Sequence, residues 1–209
     1  KNQIEDGYIL RDIIKAVDTL KFQLSDDKYE MSVLYEKKIQ RMGNAGRNGG
    51  EYYTPRALIR AIINVVNPQV GESVYDPAVG SAGFLCESHE YMMKARDSLS
   101  TADLNIIQED TFFGKEKNKL PFVVGVMNMI LHGINAADIR QGDTIKEPQH
   151  IDKGGELKRF DRVIANPPFS QNYSQTDMNF KDRFHTFMPE SGKKADLMFV
   201  QHMVSSLKS

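Results

Sequence analysis

Apolar positions in the first 42 residues recur at helical spacing and never alternate as they do in a strand. Ile9, Leu10, Ile13, Ile14 and Val17 share one face, followed by Leu20 and Phe22. A second stripe runs through Met31, Leu34, Tyr35 and Ile39, and Ser25-Asp26-Asp27 between the two carries side-chain acceptors suited to starting a helix. The pattern predicts two helices whose apolar faces need a partner. Gly43 to Gly50 then reads GNAGRNGG, four glycines in eight positions, and is expected to be a loop. Thr54 is a natural N-cap with Pro55 at the first helical position. Leu58, Ile59, Ile62, Ile63 and Val66 form the stripe of the helix that follows, which Asn67-Pro68 should close.

Beyond Ser73, short apolar runs alternate with helical stripes. Ser73 to Asp76 predicts a strand, Gly80-Ser81-Ala82-Gly83 a tight turn, and the next residues a helix to about Lys94. The run from Leu104 to Gly114 contains the second strand in its latter half, ending at Glu116. A helix from about Lys119 to His132 should turn Val123, Val126, Met127 and Ile130 inward. A short third strand follows Ala137, near Asp143, and Phe160 to Ala165 is the clearest strand, running into Asn166-Pro167-Pro168-Phe169. After a polar loop, the last helix carries Phe199, Val200, Met203, Val204 and Leu207. Strands separated by helices predict an α/β fold: a doubly wound, mostly parallel sheet with helices on both faces. Residues 1–48 form a helical segment with its glycine-rich link, and residues 49–209 form the α/β domain.

Composition narrows the class. At 209 residues, 40% hydrophobic and 26% charged, the chain can bury one core, which excludes disordered and collagen-like readings. No apolar run approaches the roughly 18 residues of a membrane span. The single cysteine, Cys86, excludes a disulfide scaffold and a multi-cysteine metal site, and fits a cytoplasmic setting. No metal is implied, because the histidines form no close-spaced ligand set. Net charge is -1, yet between Glu36 and Arg60 six basic side chains face two acidic ones. That local excess fits a polyanion and a solvated surface equally.

Open parallel sheets bind ligands beyond the carboxyl ends of their strands, and every unusual cluster in this sequence falls there. The first is Asp76-Pro77-Ala78-Val79-Gly80-Ser81-Ala82-Gly83-Phe84. Its small residues permit a sharp strand-to-helix turn and close approach of a ligand to the backbone. An acid ahead of the glycines repels a pyrophosphate and suits a cationic or hydroxyl-bearing ligand. The G-x-G-x-x-G and G-K-[ST] fingerprints are absent, which counts against hydride transfer and nucleotide hydrolysis. Glu116, ending the second strand, is placed to accept from a ribose diol, or is a surface glutamate. Asp143 is placed to accept from an exocyclic amine, or belongs to an ordinary turn. In Asn166-Pro167-Pro168-Phe169 the first proline cannot donate, so the Asn166 side-chain oxygen and the Pro167 carbonyl can both face outward as acceptors. Phe169 adds a flat apolar plate, and the set fits a planar amine such as that of a flipped adenine.

These residues resemble those of the amino-group, S-adenosylmethionine-dependent DNA methyltransferases. More closely, the chain resembles the modification subunit of type I restriction–modification systems. Leu10-Arg11-Asp12 through Tyr35-Glu36 is similar to that family's leading helical segment, and Gly49 to Arg56 to its cofactor-side motif. Gly114-Lys115-Glu116, Met127 to Gly133, Gly142-Asp143-Thr144 and Ala195-Asp196 through Met203 follow in family order. The resemblance implies a Rossmann-like core that transfers a methyl group from S-adenosyl-L-methionine to adenine N6 in double-stranded DNA. It implies that Tyr53, Thr54, Asp76, Pro77, Gly80, Ser81, Gly83, Phe84, Glu116 and Asp143 hold the cofactor, and that Asn166, Pro167, Pro168 and Phe169 act on the target base. The implied partners are DNA, a specificity subunit and a translocase or restriction subunit. Ala82 stands where the family often has glycine, and alanine disfavours positive φ, so weakened cofactor binding is expected. Strands five to seven of such a sheet are missing after the last helix. The chain is therefore expected to be a truncated piece with an uncovered sheet edge and a tendency to self-associate. Two other functions share these residues: an inert scaffold fragment, and an amino-methyltransferase acting on a protein glutamine or on RNA.

Overall fold

The computed structural model describes residues 6–18, 35, 37, 54–169, 171–192 and 194–209. Helix α1 spans Gly7–Asp18, α2 Arg56–Val66, strand β1 Val74–Asp76, α3 Gly83–Met93 and α4 Thr101–Glu109. They are followed by β2 Phe112–Glu116, α5 Lys119–Leu131, β3 Asp138–Gln141, β4 Arg162–Val163 and α6 Asp196–Ser205. All four strands are parallel, in the order β3-β2-β1-β4. The Ser25-Asp26-Asp27 break, the Met31, Leu34 and Ile39 stripe, the glycine-rich link and Tyr53 lie outside the described residues.

Alternation along the short strands divides the core. Val74 and Phe112 meet Ile59, Ile63, Leu85, Cys86, Ile107 and Met129 from the helices on one face. Tyr75 stacks on Phe160 on the other, Phe113 lies tilted against the same ring, and His150 and His202 pack edge-on against Tyr75. Helix α4 carries a reciprocal capping box between Ser100 and Asp103.

Several inward faces differ from the sequence pattern. In α5, Val123, Met127 and Ile130 are exposed, and Gly125, Asn128 and Met129 are buried. Where the helix meets the Gly80 turn it presents Gly125 and Asn128, while Met129 packs into the apolar core beside them. Leu58 in α2 and Val200, Val204 and Leu207 near the C-terminus are exposed, while Met198 and His202 are buried. The His202 position is taken by a polar residue because its Nε2 lies 3.2 Å from the Tyr75 hydroxyl. The α1 stripe forms, yet Ile9, Leu10, Ile13 and Ile14 face solvent. Thr54 does not cap α2: Pro55 sits extended at the cap position, with no side-chain cap bond. Asn67 closes the helix in a left-handed conformation, as its sequence suggests. The β4 edge is not wholly bare. Phe160 N–H donates to Ser206 O at 2.8 Å and Lys208 N–H to Phe160 O at 2.9 Å, a parallel bridge along that edge.

Burial holds the His202 imidazole down to about 3 and that of His89, packed edge-on against Phe112, down to about 4. Both stay neutral in the fold, whereas the unfolded chain protonates them near 6.5. Their contribution is complete above that pH and is lost as pH falls towards 4. Stability should drop by up to about 1.4 kcal/mol per pH unit for each histidine. Urea unfolding at pH 7 and pH 5 should show this slope reduced in His202→Gln; an equal slope would contradict it.

Candidate active site

The site grows from the turn after β1. Val79 N–H donates to Lys115 O at 2.9 Å, and Ala82 N–H donates back to Val79 O at 2.7 Å. Gly80 takes φ 50° and Ala82 φ 62°, so the alanine holds the left-handed conformation anticipated for it. Glycine would relieve that backbone but would give up a fully buried methyl group. Three neighbours fix the turn. Glu116 Oε2 accepts Gly80 N–H at 3.1 Å, and Asn128 Nδ2 donates to Ser81 O at 2.8 Å. Gly125 lets α5 approach so closely that an added Cβ would lie 2.7 Å from Gly80 O. Gly83 lets α2 approach: a Cβ there would meet Ile59 Cδ1 at 2.8 Å.

Two adjoining hollows form one groove across the carboxyl ends of the strands. One is lined by Thr54, Asp76, Ser81, Gly83 and Phe84, the other by Pro77, Glu116, Lys117, Asp143, Thr144 and Pro168. Ala78, Gly80 and Asn166 line both, so Asn166 stands at the junction. The groove thus gathers Thr54, Asp76, Pro77, Gly80, Ser81, Gly83, Phe84, Glu116, Asp143, Asn166 and Pro168. Phe169 lies off it with 70% of its surface exposed, and Pro167 is half-buried.

Charge is arranged unevenly along this groove. Asp76 is buried, with Oδ1 accepting Ala78 N–H at 2.9 Å; burial, with Glu116 adding to it, pushes its carboxyl up to about 8. Glu116 is also raised by burial, against the opposing pull of backbone N–H groups at Asn118, Gly80 and Lys117. Its Oε1 accepts Asn118 N–H at 2.8 Å, so the backbone of the turn after β2 and of the Gly80 turn both hold the carboxylate. Asp143 is more committed. Burial raises it, but Lys117 Nζ at 2.7 Å and the Ile145 and Lys146 N–H groups outweigh that and hold it below the usual range. It caps its own turn as well as facing the groove.

Other contributors had weaker sequence signals. Thr144 donates its hydroxyl to Pro77 O at 2.5 Å, tying the loop after β3 to that after β1. Lys115 is fully buried, its Nζ donating to Glu147 O, and burial draws it down to about 8. Asn128 was legible as the one polar side chain in the interior of an apolar helix, KLPFVVGVMNMIL. Among the described residues no cluster of three or more His, Cys, Asp or Glu is placed to hold a metal ion. None of the described helices is long and apolar enough to cross a membrane.

A parallel sheet in this order, with an acid closing β1, another closing β2 and a proline-stiffened loop after β4, is the Rossmann-like fold of the S-adenosylmethionine-dependent methyltransferases. The chain belongs to the N-6 DNA methylase family, whose sequence profile matches residues 26–209. It is 34% identical over 169 residues to the type I restriction enzyme EcoEI methylase subunit of Escherichia coli, covering 80% of this chain and 33% of that one. The StySPI methylase subunit of Salmonella potsdam is 32% identical over 208 residues, 95% of this chain and 37% of the relative. A chain from a structure of the type I R-M system superposes with a TM-score of 0.80 at 36% identity, covering 98% of this chain and 39% of that one. The chain therefore spans about a third of the length of the relatives it matches.

The raised Asp76 carboxyl has a testable consequence. The ligand-free fold keeps the proton up to about pH 8, while the unfolded chain releases it near 3.8. Stability from this group is complete below about 3.8 and is lost as pH rises through 8. Asp76→Asn should therefore stabilise the ligand-free protein at pH 8 to 9 relative to wild type, with the advantage vanishing near pH 4. Thermal melting across that range checks it, and a pH-independent difference would refute it.

Proposed function

We propose that this chain is the cofactor-binding and catalytic core of a DNA adenine-N6 methyltransferase, the modification subunit of a type I restriction–modification system. Asn166 at the junction of the two hollows carries this reading, because an acceptor there can meet a target amine beside whatever the groove holds. The residues present fit S-adenosylmethionine. A buried acid, Asp76, suits a cationic amine, and Glu116, a carboxylate lining the groove, suits the hydroxyl groups of a ribose. Asp143 faces the same hollow as Glu116 and is assigned the adenine amine, shared with Lys117. Bound there, the cofactor supplies an electrophilic methyl group.

The chain's own residues then have a narrow task. The exocyclic amine of adenine is a weak nucleophile because its lone pair is delocalised into the ring. Asn166 Oδ1 and the Pro167 carbonyl accept from its two N–H bonds, which localises the lone pair on nitrogen, out of conjugation with the ring, and aims it at the methyl. The same acceptors favour the amine as it gains positive charge, so orientation and electrostatics stand in for a base during attack, and the surplus N–H proton is released to solvent after the methyl has transferred. Phe169, exposed beside them, offers a stacking face to a base rotated out of the duplex. Target choice and DNA translocation are assigned to separate specificity and restriction subunits. The local basic excess near Arg47 in the sequence is assigned to backbone phosphates, which would position the DNA without specifying its sequence.

Asn166→Ala should nearly abolish single-turnover methyl transfer to duplex DNA while leaving S-adenosylmethionine affinity close to wild type. Phe169→Ala should instead raise the DNA concentration required, by a stacking loss of about 1–3 kcal/mol. The assay runs with partner subunits present, and labelled transfer is followed to DNA, RNA and protein in parallel. A folded Asn166→Ala variant of undiminished rate, or transfer confined to RNA or protein, would remove this reading.

A further inference from the structure

Thr54 was expected to cap α2 and to sit beside the cofactor. In the structure it does not cap the helix; its Oγ1 lies 3.2 Å from Asn166 Nδ2, a contact between residues 112 apart in sequence. A carboxamide has two ends of opposite character, and only its oxygen can accept from an amine. With the amide reversed, Asn166 would present N–H groups to the N–H groups of the target. The cost is a lost hydrogen bond and a donor facing a donor.

Resting on the function proposed above, we propose that Thr54 is a positioning residue for methyl transfer. Its hydroxyl oxygen accepts Asn166 Nδ2 and thereby presents Asn166 Oδ1 to the reacting amine. The backbone supports this use of the pair. Thr54 precedes Pro55 and Asn166 precedes Pro167, and a residue before proline is confined to extended conformations. Both side chains therefore project from stiff anchors: the hydroxyl holds the amide in place, and the target amine, which can only donate, favours the orientation with Nδ2 on Thr54 and Oδ1 towards the base. Thr54 also lines the Asp76 hollow with Asn166, which puts the hydroxyl on the groove side of α2.

The test is single-turnover methylation of duplex DNA by the protein with its partner subunits, at saturating S-adenosylmethionine. Thr54→Val keeps the shape and removes the oxygen. Its rate should fall roughly five- to tenfold, the value of one neutral hydrogen bond. Cofactor affinity by calorimetry and the melting temperature should stay near wild type, and Thr54→Ser should restore the rate. Should the valine variant misfold, Thr54→Ala beside Thr54→Ser makes the same comparison. An undiminished rate in Thr54→Val overturns the inference. So does a loss of cofactor affinity that accounts for the loss of rate, which would return Thr54 to the cofactor. Asn166→Ala serves as the control. If it is inactive while Thr54→Val is fully active, this inference alone fails; if Asn166→Ala is active, the parent reading fails and takes this one with it.

Discussion

The hydrogen bond from Gly80 N–H to Glu116 Oε2 is the interaction on which the site depends. It joins the turn after β1 to the end of β2, so the acid at one end of the groove and the backbone at its centre cannot move independently. Glu116 is buried and needs backbone donors to remain an acceptor there, and Gly80 and Asn118 supply them. Lys115 O, Asn128 and Gly125 hold the same turn from the strand and from α5. The groove is consequently shaped before any ligand arrives, and binding need not order the turn.

The sequence was most informative where a single residue type is demanded by the backbone. Asn67 as a helix stop, the glycine turn after β1, and the acids closing β1 and β2 could be read directly, because each marks a change of chain direction at a fixed place. Faces were less legible. An apolar count along α5 favours Val123, Met127 and Ile130, but the buried face combines a hydrogen-bonded turn with the core. Gly125 and Asn128 take the turn side and Met129 the core side. His202 is the same case, since a polar residue is preferred where a Tyr75 hydroxyl is buried opposite. Thr54 shows the limit of local rules: its fitness as a cap is a local property, whereas its partner lies 112 residues away.

Polar burial runs through the whole carboxyl side of the sheet. Asp76, Lys115, Glu116 and Thr144 are all nearly inaccessible, and each but Asp76 is tied to the backbone of a different loop. Among the described residues Asp76 bonds within its own turn, to Ala78, and burial raises its carboxyl further than that of the other described carboxyl groups. An apolar side chain there would be cheaper for the fold, and the strain is concentrated where a charged ligand can relieve it.

The position of β1 in the sheet also bears on how the protein assembles. β1 pairs with β2 on one side and with β4 on the other. Ser73, at its start, donates both N–H and hydroxyl to Asp161, 88 residues later, and Lys208 joins the same carboxylate. During synthesis from the N-terminus, β1, β2, β3 and their helices are all available before β4 emerges. The nascent sheet must therefore wait with one side of its central strand open, a phase in which chaperone capture or intermolecular pairing competes with completion. The Gly80 turn and Glu116 belong to the early half, whereas Asn166 arrives with β4. The groove thus acquires its floor first, while Asn166 and the later lining residues Tyr173, Ala195 and Phe199 complete it afterwards.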